Sequence, residues 1–569
     1  MRPKVLFMAY FLKKQKQRNH IYLAIYESFY SPDVKGTKHR CVQSLGSVEK
    51  LIDSGIEDPI SYYQNKVDEM NFEAKSKKER ISTKQISDDI PLVHLGYFPL
   101  ANILNNLDVA MHFDFMQSNR KFDLSVYDIF SSLVFARAVA PSSKYKTFHD
   151  VLPNLYKDVT FSYDQLLSAL EFVGSEYEKF IEIFTVATKE NYQVDTSHTY
   201  FDCTNFYFEI DREDEFKRKG PSKENRKDPI VGLDLLLDAN MIPIGMRMYP
   251  GNESEKPVLC NIISDLKNRN NITGRTVQVA DKGLNCAKNI IKASLNNDGY
   301  IFSKSVKQLP AKEKTWVLLD NDYQNVLDRN GEIKYRIKSC VDDFVYSYRD
   351  ENGKVISMTL REKRICTYNP KLARKQLAEI DKMIAKARDL TLYTAKRADY
   401  GETGKYVDFI DEDGNKASVR INEEAILRDR RMAGYNMIIT SEIRMDDEKI
   451  YDAYHNLWRI EESFRIMKSD LDARPVFLQK KERIIGHFLV CYVTVLLQRI
   501  LQFNVLKSEY PTSTIYEFIR TFNVVKAGNN RYINMTKSTD FVKNLAVIMR
   551  QPLTNYYLTD KQIESMHTR

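Results

Sequence analysis

The sequence predicts an α/β protein of several domains, organised around one mixed sheet with helices packed on it. Its 569 residues allow about four domains of ordinary size. Hydrophobic residues make up 43% of the chain and charged residues 28%, a balance typical of globular proteins with a large core. Apolar residues recur at helical spacing over 97–190 and then alternate as in strands over 198–303.

The first part of the chain is predicted to be a basic module. Residues 21–45 alternate apolar and polar side chains around the turn sequence SPDVKG, which predicts a β-hairpin, and residues 50–80 have a mostly helical pattern. The first 50 residues contain ten Lys and Arg but only three Asp and Glu, so they carry seven of the eight net positive charges of the chain. This local excess favours a polyanion such as DNA, and a solvated lysine-rich face is an equally good explanation.

The helical pattern, as in VYDIFSSLVFARAVA before Pro141, predicts a compact helical domain. In the strand pattern that follows, HTYFDCTNFYFEI, IVGLDLLLD and IPIGMRMYP predict three successive strands. RTVQVAD and GYIFS predict two more, each preceded by a helix. This element order is that of an RNase H-like mixed sheet, the fold class also called retroviral integrase-like.

A strand-rich insertion is predicted over residues 304–440. It contains the short strand-like runs YRIKSC, FVYSYRD and VISMTLRE. Its strongly charged helix over 371–389 is better explained by a solvated face than by contact with phosphates. Helices from Asp447 onward return to the core. The apolar run 488–497 is about half as long as a membrane span and is therefore predicted to be a buried helix.

Two aspartates occupy strand positions that favour a ligand. Asp202 lies mid-strand in TYFDCTNFYFE, where a carboxylate is unfavourable unless it is paired, hydrogen-bonded or bound to a cation. Asp281 ends the strand VQVAD, and α/β sheets place ligands at the carboxyl ends of their strands. A capping or turn role is the alternative for each aspartate. Taken alone, Asp281 is better explained by this role, whereas Asp202 is not.

The stretch YHNLWRIEESFRIMKSDL, if helical, aligns one carboxylate with a phenol and two cations. Glu461 then shares a face with Tyr454, seven residues before it. Arg465 and Lys468, four and seven residues after it, lie on the same face. The adjacent Glu462 has a less coherent set of neighbours, so Glu461 is the preferred site residue.

These carboxylates predict a site for two divalent cations. The predicted catalytic and metal-binding residues are Asp202, Asp281 and Glu461. Carboxylate oxygens suit Mg²⁺, for which Mn²⁺ would substitute. Two ions about 4 Å apart would activate an attacking water or 3′-hydroxyl and stabilise the leaving oxygen of a phosphodiester. Arg465 and Lys468 would neutralise flanking phosphates, and Tyr454 would donate a hydrogen bond to one of them.

The same stretch resembles the catalytic-helix signature of DDE transposases of the insertion-sequence-4 superfamily: Tyr, two residues, Arg, three residues, Glu, six residues, Lys. Tyr454, Glu461 and Lys468 match the signature in type and spacing. Leu457 stands where the signature has Arg, a departure that affects one phosphate contact. Arg459 or Arg465 would replace this contact, and Arg465 lies on the better helical face.

Other stretches are similar to the 1634-like group of this superfamily. They are SKENRKDPIVGLDLLLDANMIPIGMRMYPGNESEKP, VADKGLN and RPVFLQKKERIIGHF. The resemblance implies an RNase H-like core with a β-rich insertion, and a base-stacking role for Trp316, for which a core position is an equally good explanation. The implied divisions are a basic DNA-contacting module (1–85), a helical domain that binds DNA ends (86–195), the first part of the core (196–303), the insertion (304–440), the second part of the core with the Glu-bearing helix (441–510) and a C-terminal helical region (511–569).

By this resemblance the protein is a DNA transposase. It would bind the terminal inverted repeats of its insertion sequence, cut at the element ends and join the 3′-OH ends to target DNA, with a homodimer in the synaptic complex. A nuclease of the same fold that does not join ends and a transposase-derived DNA-binding repressor are the alternatives. The seven scattered cysteines show no CxxC spacing and fit a reducing cytoplasm. The resemblance implies a bacterial cytoplasm with association to the nucleoid, and no membrane partner is expected.

Overall fold

The computed structural model forms two compact units, residues 1–90 and 91–569. The described residues are 6–17, 20–31, 36–78, 92–118, 120, 122–223, 227–253, 263–265, 267–268, 274–391, 397–410, 418–527 and 530–567. Parts of the predicted stretches SKENRKDP and GNESEKP, and of the charged run KSKKER, lie outside them.

The first unit is an antiparallel three-stranded sheet with two helices. Its elements are β1 (Leu6–Gln17), β2 (His20–Ser31), β3 (Gly36–Ser47), α1 (Val48–Asp53) and α2 (Pro59–Lys78). The pairing of β2 with β3 confirms the hairpin predicted over 21–45. Leu23 and Ile25 of β2 are buried, as is Val67 of α2, so alternate residues of the central strand form a small core.

The second unit begins with a short strand and a helical region. These are β4 (Leu92–His94), α3 (Phe98–Asn106), α4 (Ala110–Gln117), α5 (Val126–Val139), α6 (Lys144–Lys146), α7 (Tyr163–Ser175) and α8 (Tyr177–Asn191). Ser125 caps α5 by accepting a hydrogen bond from the backbone N–H of Asp128. The helix ends two residues before Pro141, where the sequence predicts its end.

Strands and further helices alternate in the rest of the chain. The strands are β5 (His198–Tyr207), β6 (Ile230–Leu237), β7 (Pro243–Pro250), β8 (Val277–Ala280), β9 (Gly299–Lys304), β10 (Gln324–Leu327), β11 (Ile333–Arg349), β12 (Val355–Tyr368), β13 (Val407–Ile410), β14 (Ser418–Ile421), β15 (Tyr435–Thr440), β16 (Asn523–Lys526), β17 (Arg531–Asn534) and β18 (Tyr557–Thr559). The helices are α9 (Ala287–Leu295), α10 (Ala311–Leu318), α11 (Pro370–Thr391), α12 (Glu423–Arg431), α13 (Asp447–His455), α14 (Trp458–Arg465), α15 (Lys481–Ile500), α16 (Thr512–Thr521), α17 (Asp540–Met549) and α18 (Asp560–His567).

A nine-stranded mixed sheet dominates the second unit, in the order β10-β11-β12-β15-β9-β8-β5-β6-β7. The strands β5, β6 and β7 pair antiparallel, whereas β8 runs parallel to both β5 and β9. The five strands predicted between 198 and 303 are therefore adjacent in the sheet. The two shorter sheets are β13-β14 and β18-β17-β16-β4.

The segment predicted as an insertion contributes four strands to this same sheet. The runs YRIKSC and FVYSYRD, predicted as separate short strands, form the single 17-residue strand β11, since no Gly or Pro interrupts them. Strand β11 pairs with β12 over 336–349, and β12 continues the ladder to β15.

The sheet carries a hydrophobic core on each face. On one face Phe206 of β5 packs on Phe488 of α15, with ring centroids 4.6 Å apart. On the other, Phe201 and Cys203 of the same strand join a second cluster with Ile290 of α9. Helix α15 and its continuation to residue 505 form the one described helical segment long and apolar enough to cross a membrane. Its apolar window is fully buried within the protein, which confirms the predicted core helix.

Candidate active site

Two carboxylates lie side by side at the centre of the large sheet. Strand β5 carries Asp202, and Asp281 directly follows β8. The two strands are parallel neighbours in which Tyr200 pairs with Val279. Extending this register by two residues places Asp202 opposite Asp281, on strands about 4.8 Å apart. Residues opposite each other in a parallel pair face the same side of the sheet, so the two carboxylates belong to one site.

Glu461 of α14 joins this pair. The pKa of Asp202 is raised to about 6, chiefly by burial, and the negative charges of Asp281 and Glu461 contribute to this rise. Burial also raises the pKa of Glu461, with the charge of Asp281 as the next cause. Each of the three acids is therefore within electrostatic reach of another, although about 180 residues separate Asp281 from Glu461 in the chain. We call Asp202, Asp281 and Glu461 the acid cluster.

A phenol and an ammonium group border the acid cluster. Tyr454 of α13 donates a hydrogen bond to Asp281 Oδ1 at 3.3 Å. Lys223 Nζ lies 3.9 Å from Asp202 Oδ1 and donates to the carbonyl of Cys203. The charge of Lys223 opposes the effect of burial on the pKa of both Asp202 and Glu461. One cation is thus shared by two of the three carboxylates.

The predicted helix over 454–471 is divided in the structure. Helix α13 ends at His455, α14 begins at Trp458, and a π-helical turn follows at Ile466–Asp470. Backbone hydrogen bonds to the third preceding residue, such as Leu457 N to Tyr454 O at 3.1 Å, tighten the chain between the two helices. Seven-residue spacing therefore does not define one continuous face here, although Tyr454 and Glu461 still reach the same cluster.

The predicted phosphate-binding cations lie in three different surroundings, and Arg465 contacts Glu462 rather than the predicted Glu461. Lys468 Nζ lies 5.5 Å from the ring centroid of Phe206, four residues beyond Asp202 on β5. Arg465 is 61% exposed, with Nη2 3.4 Å from Glu462 Oε1. Arg459 lies over the ring of Phe503, at 5.3 Å from its centroid.

Two predicted positions are mostly enclosed by the protein. Leu457, which stands where the transposase signature has Arg, is buried in the core. Trp316 of α10 packs half-buried against the second core cluster. Lys338 Nζ lies 4.8 Å from the Trp316 ring centroid and donates to the Trp316 carbonyl at 2.6 Å.

Glu462 has a different role from its neighbour. Arg499 of α15 is fully buried, and its Nη1 lies 3.0 Å from Glu462 Oε2. The same guanidinium donates to the Ser463 hydroxyl and to the Arg459 carbonyl. Thr512 donates to the other Glu462 oxygen at 3.1 Å. These contacts fix the residues on both sides of Glu461 and thereby orient α14 on the core.

The acid cluster fits hard divalent cations by the chemistry of its donors. Three carboxylates supply oxygen ligands of the kind Mg²⁺ and Mn²⁺ accept, and their mutual repulsion would be relieved by a bound cation. In the part of the chain that the structure describes, no group of three Asp, Glu, His or Cys side chains is placed so that it could hold a metal ion. The fit therefore depends on the donor chemistry of the three acids alone.

Sequence reasoning missed Lys223, Arg499 and the pairing of Glu462. Lys223 lies in a loop with no periodic pattern, and its only signal is the basic run SKENRK. Arg499 is a single cation in an apolar helix, a position where a charge calls for a partner.

The comparisons with known proteins add a structural likeness. No protein-family model matches the chain, and no curated protein matches it in sequence. Among solved structures, the chain is similar to a cryo-EM structure of a piggyBac transposase synaptic complex with hairpin DNA. That match has a TM-score of 0.34 and 10% sequence identity, and it covers 74% of this chain and 77% of that chain. The functional assignment therefore depends on the residues of the site.

Proposed function

We propose that this protein is a DDE-type DNA transposase of the insertion-sequence-4 superfamily, 1634-like group. It binds the terminal inverted repeats of its element, cleaves at the element ends and joins the 3′-OH ends to target DNA. The observation that carries this proposal is the convergence of Asp202, Asp281 and Glu461 from β5, the end of β8 and α14 into one acid cluster.

The strand arrangement supports the proposal. The order β7-β6-β5-β8-β9, with two antiparallel pairings followed by two parallel ones, is the order expected for the proposed RNase H-like core. In this arrangement the first acid lies on the central strand and the second follows its parallel neighbour. The third comes from a helix packed across the sheet, which brings acids from three distant segments to one point.

The mechanism assigns a role to each side chain of the site. Asp202, Asp281 and Glu461 would hold two Mg²⁺ ions, or Mn²⁺ in their place. The metal pair supplies Lewis-acid activation of the attacking oxygen and charge stabilisation at the leaving oxygen. Tyr454 holds Asp281 through its hydrogen bond, and Lys223 provides positive charge beside Asp202 for the scissile phosphate.

Further cations would contact the DNA on either side of the cut. Lys468 lies near Phe206 of β5, four residues beyond Asp202, and suits a flanking phosphate. Arg465 is exposed and suits the same role. We assign double-stranded DNA as the partner, a homodimer as the synaptic form and the bacterial cytoplasm as the location. Trp316 is the proposed base-stacking residue of the region after β9.

The test is incubation of the protein with the DNA that flanks its own gene, in Mg²⁺ and in Ca²⁺. We expect Ca²⁺ to support end binding and Mg²⁺ to support cleavage at the element ends. Asp202→Asn, Asp281→Asn and Glu461→Gln should each abolish cleavage and leave end binding intact. A variant that still cleaves normally removes its residue from the proposed site.

A second assay separates the alternatives. Pre-cleaved ends supplied with target DNA should be joined by a transposase and left unjoined by a nuclease of the same fold. Sequence-specific binding without any Mg²⁺-dependent cleavage would instead indicate a DNA-binding repressor, an outcome for which Leu457 in place of the signature Arg is the only support.

A further inference from the structure

The ammonium group of Lys223 lies against the acid cluster. Its Nζ donates a hydrogen bond to the carbonyl of Cys203, which follows Asp202 on β5. The same nitrogen lies 3.8 Å from Cys203 Sγ and 3.9 Å from Asp202 Oδ1. Lys223 therefore contacts the strand of the first acid and forms an ion pair with that acid.

The backbone that carries Lys223 is fixed to the sheet. Arg218 and Ile230 of the connection between β5 and β6 exchange two backbone hydrogen bonds, at 3.1 and 2.8 Å. Asn205 of β5 donates through its side chain to the carbonyl of Pro221 at 3.2 Å. These contacts hold the segment just before Lys223 beside the strand of Asp202, so the position of the lysine is built into the fold.

The side chain of Lys223 is less firmly held than its backbone. It is 41% exposed, whereas the side chain of Asp202 is 20% exposed. A distance of 3.9 Å is too long for a hydrogen bond, and a partly exposed ion pair of this kind is weak. The flexible four-carbon stem of a lysine lets its ammonium group move while the backbone stays in place. Lys223 can therefore exchange Asp202 for another anion at low cost.

The charge of Lys223 acts on two of the three acids. Burial raises the pKa of both Asp202 and Glu461, and the charge of Lys223 opposes the rise in each. The ammonium group is thus a positive charge at the place where these carboxylates attract cations. It repels any divalent cation that binds the same carboxylates, since like charges a few ångströms apart oppose each other. A phosphate group attracts an ammonium group through charge-assisted hydrogen bonds, and it can draw Lys223 away from Asp202.

We propose that Lys223 couples cation binding at the acid cluster to DNA binding. In the protein without DNA, the ammonium group beside Asp202 weakens the affinity of the acids for Mg²⁺ or Mn²⁺. A phosphate of bound DNA takes Lys223 from Asp202 and removes this repulsion. Because such coupling is reciprocal, a bound cation strengthens DNA binding by the same factor. The inference rests on the proposed function, since it requires that the acid cluster binds divalent cations, and it adds a residue that regulates their affinity.

The test measures Mn²⁺ binding to the full chain by electron paramagnetic resonance of the unbound ion. The measurement is made without DNA and with an uncut element-end duplex, in the cold and before cleavage products are detected on a gel. Lys223→Met removes the charge and keeps the length of the stem. Without DNA, we expect it to bind Mn²⁺ at least about tenfold more tightly than the wild type. Addition of the duplex should tighten Mn²⁺ binding of the wild type more than that of the variant.

Two control variants separate the position of the charge from its presence. Lys223→Arg keeps a positive charge beside Asp202, and its Mn²⁺ affinity without DNA should stay within about threefold of the wild type. Lys282→Met removes an exposed lysine that directly follows Asp281. It changes the net charge as Lys223→Met does, and its Mn²⁺ affinity should also stay within about threefold of the wild type.

The outcomes distinguish this inference from the proposed function. Mn²⁺ binding that Asp202→Asn weakens and Lys223→Met leaves unchanged overturns the role of Lys223 and leaves the cation site in place. Equal tightening by Lys282→Met and Lys223→Met also overturns that role, because net charge then accounts for the effect. Mn²⁺ binding that Asp202→Asn leaves unchanged removes the proposed cation site, and the inference with it.

Discussion

Glu461 and Glu462 are adjacent in the sequence but have opposite surroundings. Glu462 accepts hydrogen bonds from Arg499 and Thr512, and its side chain is 13% exposed. Glu461 lies near two other acids, Asp202 and Asp281. The cation that acts on it, Lys223, also contacts Asp202. One carboxylate is thus balanced within the protein and the other is not.

This difference separates a carboxylate that stabilises the fold from one that belongs to a functional site. A buried carboxylate that has its own guanidinium and hydroxyl donors stabilises the fold and needs no ligand. A carboxylate placed beside like charges raises the energy of the metal-free protein, and this arrangement is typical of functional sites. Each of the following substitutions tests one side of this distinction.

The greatest difference is expected between substitutions of the two glutamates. Substitution of Glu461 should lower activity without lowering stability, whereas substitution of Glu462 should mainly lower stability. Glu461→Gln should lower Mg²⁺-dependent DNA cleavage by roughly 100-fold or more, because it removes a proposed metal ligand. Its melting temperature should stay equal to or above that of the wild type, since repulsion with Asp281 is relieved. Cleavage rates and thermal melts of both variants provide the measurement.

Glu462→Gln is the matched control for this prediction. It should keep cleavage within about tenfold and lower the melting temperature, because Arg499 loses its carboxylate. Equal loss of cleavage in both variants, with equal melting temperatures, would contradict the distinction between the two positions.

The next effect concerns the buried cation of α15. Arg499→Met removes the buried guanidinium that donates to the Glu462 carboxylate and to the Ser463 hydroxyl, and should cost about 3 kcal/mol of unfolding free energy. The double variant Arg499→Met with Glu462→Leu should recover most of this loss, since no charge is then left unpaired. Urea denaturation followed by circular dichroism measures both.

Arg465 supplies the comparison for Arg499. It also contacts Glu462, but it is 61% exposed and 3.4 Å away. Arg465→Met should change the unfolding free energy by less than about 0.5 kcal/mol. A larger loss for Arg465→Met than for Arg499→Met would falsify the role assigned to the buried pair.

The aspartates of the site could be predicted from the sequence, because strand alternation and strand ends are local patterns. Asp202 interrupts an apolar strand and Asp281 ends one, and the parallel register of β5 and β8 then places them together. The pairing of Glu461 with them depended on an expected helix face. The structure divides that helix, yet the turn at Asn456 and Leu457 keeps Tyr454 and Glu461 at one site.

The rest of the site depends on contacts between distant segments. Lys223 reaches Asp202 from an irregular loop, and no spacing rule predicts the course of such a loop. The apolar run 488–497 predicted that α15 is a core helix but could not indicate which polar residues it would contact.

The smallest change expected within the acid cluster is a pH-dependent change in stability at Asp202. The pKa of this carboxyl is raised from about 3.9 in an unfolded chain to about 6 in the fold. Between these values the folded protein binds more protons than the unfolded chain, so the stability from this group is complete below pH 4 and is lost as the pH rises through 6.

Asp202→Asn removes this loss of stability. In EDTA the variant should therefore be more stable than the wild type at pH 7.5, by about 1–2 kcal/mol for a side chain that is 20% exposed. At pH 4 the two should melt at nearly the same temperature. Added Mg²⁺ should raise the melting temperature of the wild type at pH 7.5 more than that of the variant. Parallel melting profiles for the two proteins from pH 4 to 7.5 would show that the fold does not raise the pKa of Asp202.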